Sequence, residues 1–393
     1  GIRLAGVVTA ITGCSAVEYY GDGSNLSGTG FTPDADQNLV AGGQSPGANL
    51  DGTDACFNIL VGAGAGHCVT SGKGNVALGK WAAYYTKTGE YNTYLNYAGS
   101  NREDGDYNVA GGLYALKGSE TAADNTGSYN IALGNNAGCR ITSGAHNIAL
   151  GESAIASGPV TASYTVALGK CAGKSITSGN YNLYFGLAAG CLTTDGHSNI
   201  ALGCKALQGN VSADFNVAIG PVAGQNIGGG CNVFIGYGAA TSSGTATDND
   251  AGQNVAIGMY AASAITDGDM NTLVGSYAGA NLTTGSGNVA LGFAAGCETT
   301  TSGYNVYLGD SAGRNIQTGD YNFAGGYAAL KGSGTAANNT GDYNVALGYK
   351  AGEGVTSGTN NIFIGKQAGC KNSTGVDNIA LGQKALGDSA GTT

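Results

Sequence analysis

The sequence predicts an all-β fold, an elongated parallel β-solenoid or β-roll of about twenty 17-residue coils. A pentad recurs along the chain and consists of Asn, an aliphatic residue, a variable residue, a second aliphatic residue and Gly. Gly accounts for 73 of the 393 residues, whereas Pro accounts for only 4. Collagen would need abundant Pro, and a disordered chain would need more charge than the 11% present here. A repetitive, ordered β structure is therefore expected.

The spacing of the pentads sets the period of the repeat. Nineteen copies begin with Asn and one with Thr. The copies begin at Asn38, Asn58, Asn75, Asn92, Asn108, Asn130, Asn147, Thr165, Asn182, Asn199, Asn216, Asn232, Asn254, Asn271, Asn288, Asn305, Asn322, Asn344, Asn361 and Asn378. Twelve of the nineteen intervals span seventeen residues, three span twenty-two, and the others are slightly shorter or longer than seventeen. Such regularity indicates one structural unit per interval.

The unit is expected to be a single β coil. Seventeen residues are too few for a pair of helices with their turns, and β-branched residues that alternate around a small residue are typical of a strand. Successive coils of a parallel stack lie about 4.8 Å apart, so twenty of them predict a rod of roughly 95 Å.

Counting from the pentad Asn as position 0, the aliphatic residues at positions 1 and 3 share one side of the strand and position 2 faces the other. We expect positions 1 and 3 to form the coil interior. Position 2 is Ala in twelve copies, so we expect it to face a neighbouring chain at close range. Because one 17-residue coil buries little by itself, this arrangement predicts a homotrimer.

The pentad Asn is expected to form a ladder in which side-chain amides of consecutive coils hydrogen-bond to one another. Asn271, Asn288, Asn305 and Asn322 illustrate it, since they follow one another at the regular interval of the repeat. The Gly at position 4 predicts a turn with positive φ, which a branched residue would not adopt.

The chain divides into an amino-terminal docking or capping segment, residues 1–37, and a β-solenoid repeat region, residues 38–393. The last coil lacks a polar cap, so a partner is expected to stack on its open strand edge. The three 22-residue steps follow Asn108, Asn232 and Asn322, and the first and third share nearly the same sequence. These loops either carry recognition or are copies of one duplicated block.

Composition argues against several partners. The formal net charge of −10 repels nucleic acid and anionic lipid. No apolar run approaches the length of a membrane helix, roughly 18 residues or more, so no membrane insertion is expected. Ten Cys without a C-x-x-C pair favour an oxidising, extracellular setting.

No catalytic, metal or cofactor site is expected, and the chain is not predicted to be an enzyme. His67, His146 and His197 lie in separate coils without a nucleophile or paired carboxylates at a matching position. The acidic stretches at 103–106 and 248–250 lack a complete calcium-binding loop.

Four cysteines share one position, nine residues after the Asn: Cys139, Cys191, Cys297 and Cys370. They lie at least three coils, or about 14 Å, apart, which is too far for a disulfide among themselves within one chain. They are therefore buried thiols, partners of cysteines at other positions, or interchain bridges.

Tyrosines precede the Asn in several consecutive coils, and Tyr304, Tyr321 and Tyr343 form a candidate surface-recognition stripe. Such a stripe would suit a cell-surface glycan or receptor, or it would simply cover a Gly-rich surface. A row of Thr in the Thr-Ser-Gly turns also invites comparison with ice-binding solenoids.

The Asn-Val-Ala-Leu-Gly and Asn-Ile-Ala-Leu-Gly pentads, with Ala-Gly and Thr-Ser-Gly between them, resemble repeats of phage tail fibres and the β-roll heads of trimeric autotransporter adhesins. The resemblance covers residues 38–393. It implies a non-enzymatic extracellular fibre, a virion appendage or cell-surface filament that acts as a shaft or adhesion element. One alternative is a head-to-tail filament, in which residues 1–37 of one chain cover the last coil of the next. Another is an ice-binding solenoid.

Overall fold

The computed structural model describes residues 34–51, 54–244 and 249–387. In these ranges the pentads form twenty strands of three residues. The strands are β1 Leu39–Ala41, β2 Ile59–Val61, β3 Val76–Leu78, β4 Thr93–Leu95, β5 Val109–Gly111, β6 Ile131–Leu133, β7 Ile148–Leu150, β8 Val166–Leu168, β9 Leu183–Phe185, β10 Ile200–Leu202, β11 Val217–Ile219, β12 Val233–Ile235, β13 Val255–Ile257, β14 Thr272–Val274, β15 Val289–Leu291, β16 Val306–Leu308, β17 Phe323–Gly325, β18 Val345–Leu347, β19 Ile362–Ile364 and β20 Ile379–Leu381. Two single-turn 3-10 helices, Ala122–Asp124 and Ala336–Asn338, lie in the first and third long loops.

Each strand pairs in parallel with the next one along the chain, which confirms the predicted solenoid. Val289, for example, lies opposite Val306, and Leu291 lies opposite Leu308. The same register continues from β1 to β20. We call each coil a rung and number the rungs by their strands. Twenty rungs give a stack about 90 Å long, at about 4.8 Å per rung.

Hydrogen bonds join the rungs outside the strands as well. In rung 15, Gly296 N donates to Ala312 O at 2.9 Å, and Glu298 N donates to Arg314 O at 2.8 Å. Most of the circumference of a rung is therefore bonded to its neighbour, which satisfies backbone groups that a 17-residue coil cannot pair internally.

The solenoid interior differs from the prediction in one respect. The middle residue of each strand points inward, whereas positions 1 and 3 point outward. In rung 15, Ala290 is 1% exposed, but Val289 and Leu291 are 36% and 51% exposed. Position 2 therefore does not face a neighbouring chain. The core consists of positions 2, 7 and 11, together with the Asn at position 0.

The larger residues at position 2 are accommodated inside by glycines. Tyr307 is fully buried, and its ring lies against Gly296 and Gly313 at position 8 of adjacent rungs; an added Cβ would come within 2.7 and 2.3 Å of it. Phe363 lies in the same way against Gly352 and Gly369. Bulk at position 2 is thus exchanged for a missing side chain at position 8, as close packing requires.

Each rung turns through residues with positive φ. In rung 15 these are Gly292 at +141°, Ala294 at +50°, Gly296 at +56° and Tyr304 at +59°. Non-glycine residues bear a cost in this region, so the turns are held by the bonding between rungs rather than by local preference.

Arg102 fills a gap in the core beneath the first long loop. Its side chain is fully buried, Nη1 donates to Ile141 O at 3.1 Å, and Nη2 donates to Gly127 O. Burial lowers the pKa of this guanidinium. Ile316 occupies the corresponding position below the second copy of the loop and is also buried.

The proposed boundary between residues 1–37 and 38–393 lies mostly outside the described residues, because 1–33 are not among them. The final coil is described as far as Gly387. The docking or capping role of residues 1–37 stays a prediction.

Candidate functional site

The outward face of the sheet is a continuous apolar ribbon, which we call the sheet face. It consists of positions 1 and 3 of the twenty strands. All but four of its members are Val, Ile, Leu, Phe or Ala, and the exceptions are Thr93, Gly111, Thr272 and Gly325. None is charged. The strands alternate outward, inward, outward, so both aliphatic residues of a rung meet solvent in a single chain.

The size of this ribbon separates it from an ordinary surface. It is about 90 Å long and about 10 Å wide, on the order of 900 Å². Soluble monomers rarely expose contiguous apolar patches above about 600 Å², and a standard protein interface covers about 800 Å² on each partner. The sheet face therefore has the area and composition of an interface.

Charged residues lie on the other faces of the rod. The ion pairs of the described residues join Lys87 to Glu103 at 2.6 Å, Lys170 to Glu152 at 3.0 Å, and Lys350 to Glu353 at 3.1 Å. The chain thus concentrates its solvated groups away from the sheet face.

Tyr304, Tyr321 and Tyr343, the predicted recognition stripe, stack on one another in consecutive rungs. Their ring centroids lie 5.2 and 5.0 Å apart, with interplanar angles of 3° and 6°. A longer stack runs over six rungs. Its members are Tyr91, Tyr107, Tyr129, His146, Tyr164 and Tyr181.

The stacking limits what these stripes can bind. Each ring face inside a stack is covered by the next ring, so the solvent meets ring edges and phenol hydroxyls rather than open aromatic faces. The first ring of each stack lies over a glycine, Tyr91 over Gly74 and Tyr304 over Gly287. This geometry favours a role in covering the rod over a platform for sugar rings.

The pentad Asn side chains are joined into a buried ladder. Asn305 N and Nδ2 both donate to Asn288 Oδ1, at 3.1 and 3.2 Å, and Nδ2 also donates to Gly319 O at 2.9 Å. Asn288 makes the same bonds to Asn271, and Asn322 N donates to Asn305 Oδ1 at 2.8 Å. The four residues named from the sequence are thus consecutive members of one hydrogen-bonded column.

Thr165 interrupts the ladder at rung 8. Its backbone N donates to Asn147 Oδ1 at 3.0 Å, but among the described contacts its side chain bonds only to Gly179 O, at 3.5 Å, and does not reach Asn182 in the next rung.

We therefore expect Thr165→Asn to stabilise the fold. The new amide would accept from Asn182 N and donate to Gly179 O, and each restored bond is worth about 1 kcal/mol. The urea midpoint, followed by far-ultraviolet circular dichroism, is expected to rise. Thr301→Asn, a change at an exposed threonine whose side chain forms no hydrogen bond among the described contacts, serves as the control and should leave the midpoint unchanged. A midpoint that falls for Thr165→Asn would show that the ladder is not the stabilising element.

The four in-phase cysteines are separate, half-buried thiols in this chain. Cys139 Sγ donates to Ala156 O at 3.4 Å, and Cys370 Sγ donates to Gly387 O at 3.5 Å. Burial raises the pKa of the thiols of Cys139, Cys191 and Cys297. No disulfide joins any two of the nine cysteines in the described ranges.

The histidines serve in stacking and in bonding between rungs. His146 lies within the long tyrosine stack, His67 stacks on Tyr84, and His197 Nδ1 accepts from Asn180 N at 3.0 Å. Within the part of the chain that the structure covers, no three His, Cys, Asp or Glu side chains are grouped as metal ligands.

The Thr row also has a structural function. Thr177 Oγ1 donates to Thr194 O at 3.1 Å, and Thr283 Oγ1 donates to Thr300 O at 3.1 Å. These hydroxyls bond to the next rung rather than to solvent. Ice binding stays a prediction.

One groove lies apart from the stripes. It has a volume of about 630 Å³ and is lined by aromatic residues of rungs 3 to 5, among them Trp81, Tyr97 and Tyr114, and by the first long loop. It was not predicted from the sequence because these aromatics lie outside the pentad, in a row of only three consecutive rungs. The clustering of Trp81, Tyr84, Tyr85, Tyr97 and Tyr114 just before the loop was the available signal.

The sequence matches no protein-family model and no curated protein. The described ranges contain no helix long and apolar enough to cross a membrane. The solenoid has two unusual surfaces, the sheet face and the groove.

Proposed function

We propose that the protein is the shaft of an extracellular fibre whose chains associate side by side through the sheet face. The observation that carries this proposal is the uncharged ribbon along the whole described solenoid. Association would remove that ribbon from water, at about 25 cal/mol for each Å² of apolar surface buried. A bare shaft would expose it along its full length.

The arrangement we propose is a homotrimer with the three sheet faces turned toward a common axis. It keeps the chain number expected from the sequence, but it rests on different residues, since positions 1 and 3 would form the contact and Ala at position 2 would not. The rungs themselves need no partner to pair their backbone groups, so the apolar area of the sheet face alone favours association.

Such a trimer would act as a structural or adhesion element of the tail-fibre or adhesin type, on a virion or a cell surface. No catalytic step is part of it. The regular rod supports such a role. Each rung contacts only its neighbours, so the stacking of rungs extends the rod while it stays regular.

The proposal is tested by placing charge on the sheet face. The double variant Leu168→Lys, Leu202→Lys should convert an assembly of three chains into single folded chains, because two cations per chain cannot be buried against an apolar partner. Mass photometry measures the chain number, and circular dichroism checks that the solenoid remains folded.

The matched control is Leu187→Lys, Leu192→Lys, which changes two exposed leucines of rung 9 that lie outside the sheet face. It should leave the mass at three chains. A single-chain mass for the unaltered protein would overturn side-by-side association, and a two-chain mass would overturn the trimer. Growth that continues with concentration would favour the head-to-tail filament instead.

A further inference from the structure

The groove at rungs 3 to 5 is built from three successive rungs and a loop. Rung 3 contributes Trp81, Tyr84 and Tyr85, and rung 4 contributes Tyr97, Ser100 and Asn101. Rung 5 contributes Tyr114 and the start of the long loop, including Lys117 and Glu120. At about 630 Å³ the groove lies within the usual size range of small-ligand sites, about 300–1,000 Å³.

Its aromatic rings differ from the stacked stripes in being tilted against one another. The centroids of Trp81 and Tyr97 lie 5.0 Å apart at an angle of 50°, and those of Tyr97 and Tyr114 lie 5.6 Å apart at 79°. A tilted pair leaves part of each ring face uncovered, although Lys80 Nζ lies 5.1 Å from the Trp81 centroid and Lys117 Nζ lies 5.4 Å from the Tyr114 centroid. Those faces carry the negative part of the ring quadrupole, which attracts weakly positive C–H groups.

The polar groups of the groove balance in charge. Lys117 and Glu120 supply one cation and one anion, and Asn101 supplies an amide, so the lining offers donors and acceptors without a net charge. Glu120 is exposed and forms no ion pair within the described ranges. A neutral ligand with apolar faces and many hydroxyls matches this lining.

The groove walls are held in place. Asn125 Nδ2 donates to Asn101 O at 2.7 Å, and its Oδ1 accepts from Ser119 N at 2.7 Å. Buried Arg102 bonds to Gly127 and Ile141 in the rungs beneath the loop. The site therefore requires little ordering on binding, which favours affinity.

A second copy of the loop shows that the aromatics are not needed to build it. Asn339 Nδ2 donates to Asn315 O at 2.9 Å, and its Oδ1 accepts from Ser333 N at 2.9 Å, as Asn125 does in the first loop. Yet the residues equivalent to Trp81, Tyr97 and Tyr114 are Ala294, Ser311 and Ala328, and Gly334 stands in place of Glu120. The aromatic and acidic lining is thus specific to the first loop.

We propose that this groove is a carbohydrate-binding site that takes a neutral oligosaccharide. The sugar rings would pack their C–H faces on Trp81 and Tyr97, while Asn101, Lys117 and Glu120 would bond to hydroxyls. The site is independent of the sheet face, so its failure would leave the proposed shaft intact and loss of association would leave the groove intact.

The chain contains a single Trp, and it lines the groove, so its fluorescence reports on occupancy directly. The full-length protein is titrated in turn with cellotetraose, laminaritetraose, maltotetraose, mannotetraose and the tetramer of N-acetylglucosamine. At least one should shift the Trp81 emission in a saturable way and protect it from acrylamide quenching. No change with any of the five up to about 10 mM would overturn the proposal.

Matched variants locate the binding. Lys117→Ala and Tyr97→Ala should each raise the dissociation constant of the responding sugar about tenfold. Lys331→Ala, the same change in the third long loop, and Tyr321→Ala, in a stacked stripe, should leave the dissociation constant unchanged. Equal affinity in all four variants would place the sugar elsewhere and overturn the assignment. Binding of an apolar dye such as anilinonaphthalene sulfonate without any sugar response would overturn it too.

Discussion

Gly292→Ala is expected to destabilise the solenoid by about 4 kcal/mol, among the largest effects of a single methyl group on this chain. Gly292 has a φ of +141°, and a Cβ built on it would lie 2.5 Å from the carbonyl oxygen of Gly309 in the next rung. The backbone conformation is accessible to Gly alone, and the obstructing atom belongs to the backbone bonding between rungs. Neither cost can be relieved by a side-chain movement.

The effect is measured as the shift in the urea midpoint, with amide hydrogen exchange to show whether rungs 14 to 16 open first. Gly334→Ala is the control, because its φ is not in the left-handed region and no atom lies within 4 Å of the added Cβ. Equal midpoints for the two variants would contradict the close stacking of position 4.

Asn305→Asp is expected to cost about 3–5 kcal/mol at neutral pH. Asn305 is fully buried, and its Nδ2 donates to both Asn288 Oδ1 and Gly319 O. A carboxylate would place an acceptor against those two acceptors and bury a charge without a cation. The ladder would lose two bonds at that rung.

The cost should fall as the pH is lowered. Burial and the neighbouring oxygens would raise the pKa of the introduced carboxyl above its unfolded value, so its protonated form favours the folded state. Stability relative to the unaltered protein should therefore be highest below about pH 4 and be lost as the pH rises through the folded-state pKa. Asn360→Asp, an exposed residue at position 16, makes the same change in charge and should show no such dependence. Equal pH profiles would argue against a buried ladder.

The repeat was predictable because it depends on two residue types whose structural roles few other residues can fill. Asn begins all pentads but the one at Thr165, and Gly ends all but the one that ends at Asn96. The first is required by a hydrogen-bonded column and the second by a left-handed turn, and neither role tolerates many residue types. The period, the parallel register and the number of coils followed from these positions alone.

Which face of each strand points into the solenoid was not predictable in the same way. Alternation shows that Val289 and Leu291 share a side and that Ala290 takes the other, but it does not say which side is inside. The larger residues would normally be buried. Here a 17-residue coil encloses so little space that Ala suits the centre, and Tyr307 is admitted only where Gly296 and Gly313 make room. The aliphatic residues are left outside.

The repeat pattern did not predict the groove, for a related reason. Trp81, Tyr97 and Tyr114 occupy equivalent positions of rungs 3 to 5, and Tyr260 and Tyr277 occupy the same position of rungs 13 and 14. Only in rungs 3 to 5 does stacking place these rings beside the first long loop.

The most direct test of this account is a cryo-electron-microscopy reconstruction of the assembled full-length protein. It should show rungs about 4.8 Å apart along each rod and neighbouring rods with their sheet faces toward one another, about 10 Å apart. A reconstruction in which Val289 and Leu291 point to solvent, and the chains meet through another face, would contradict it.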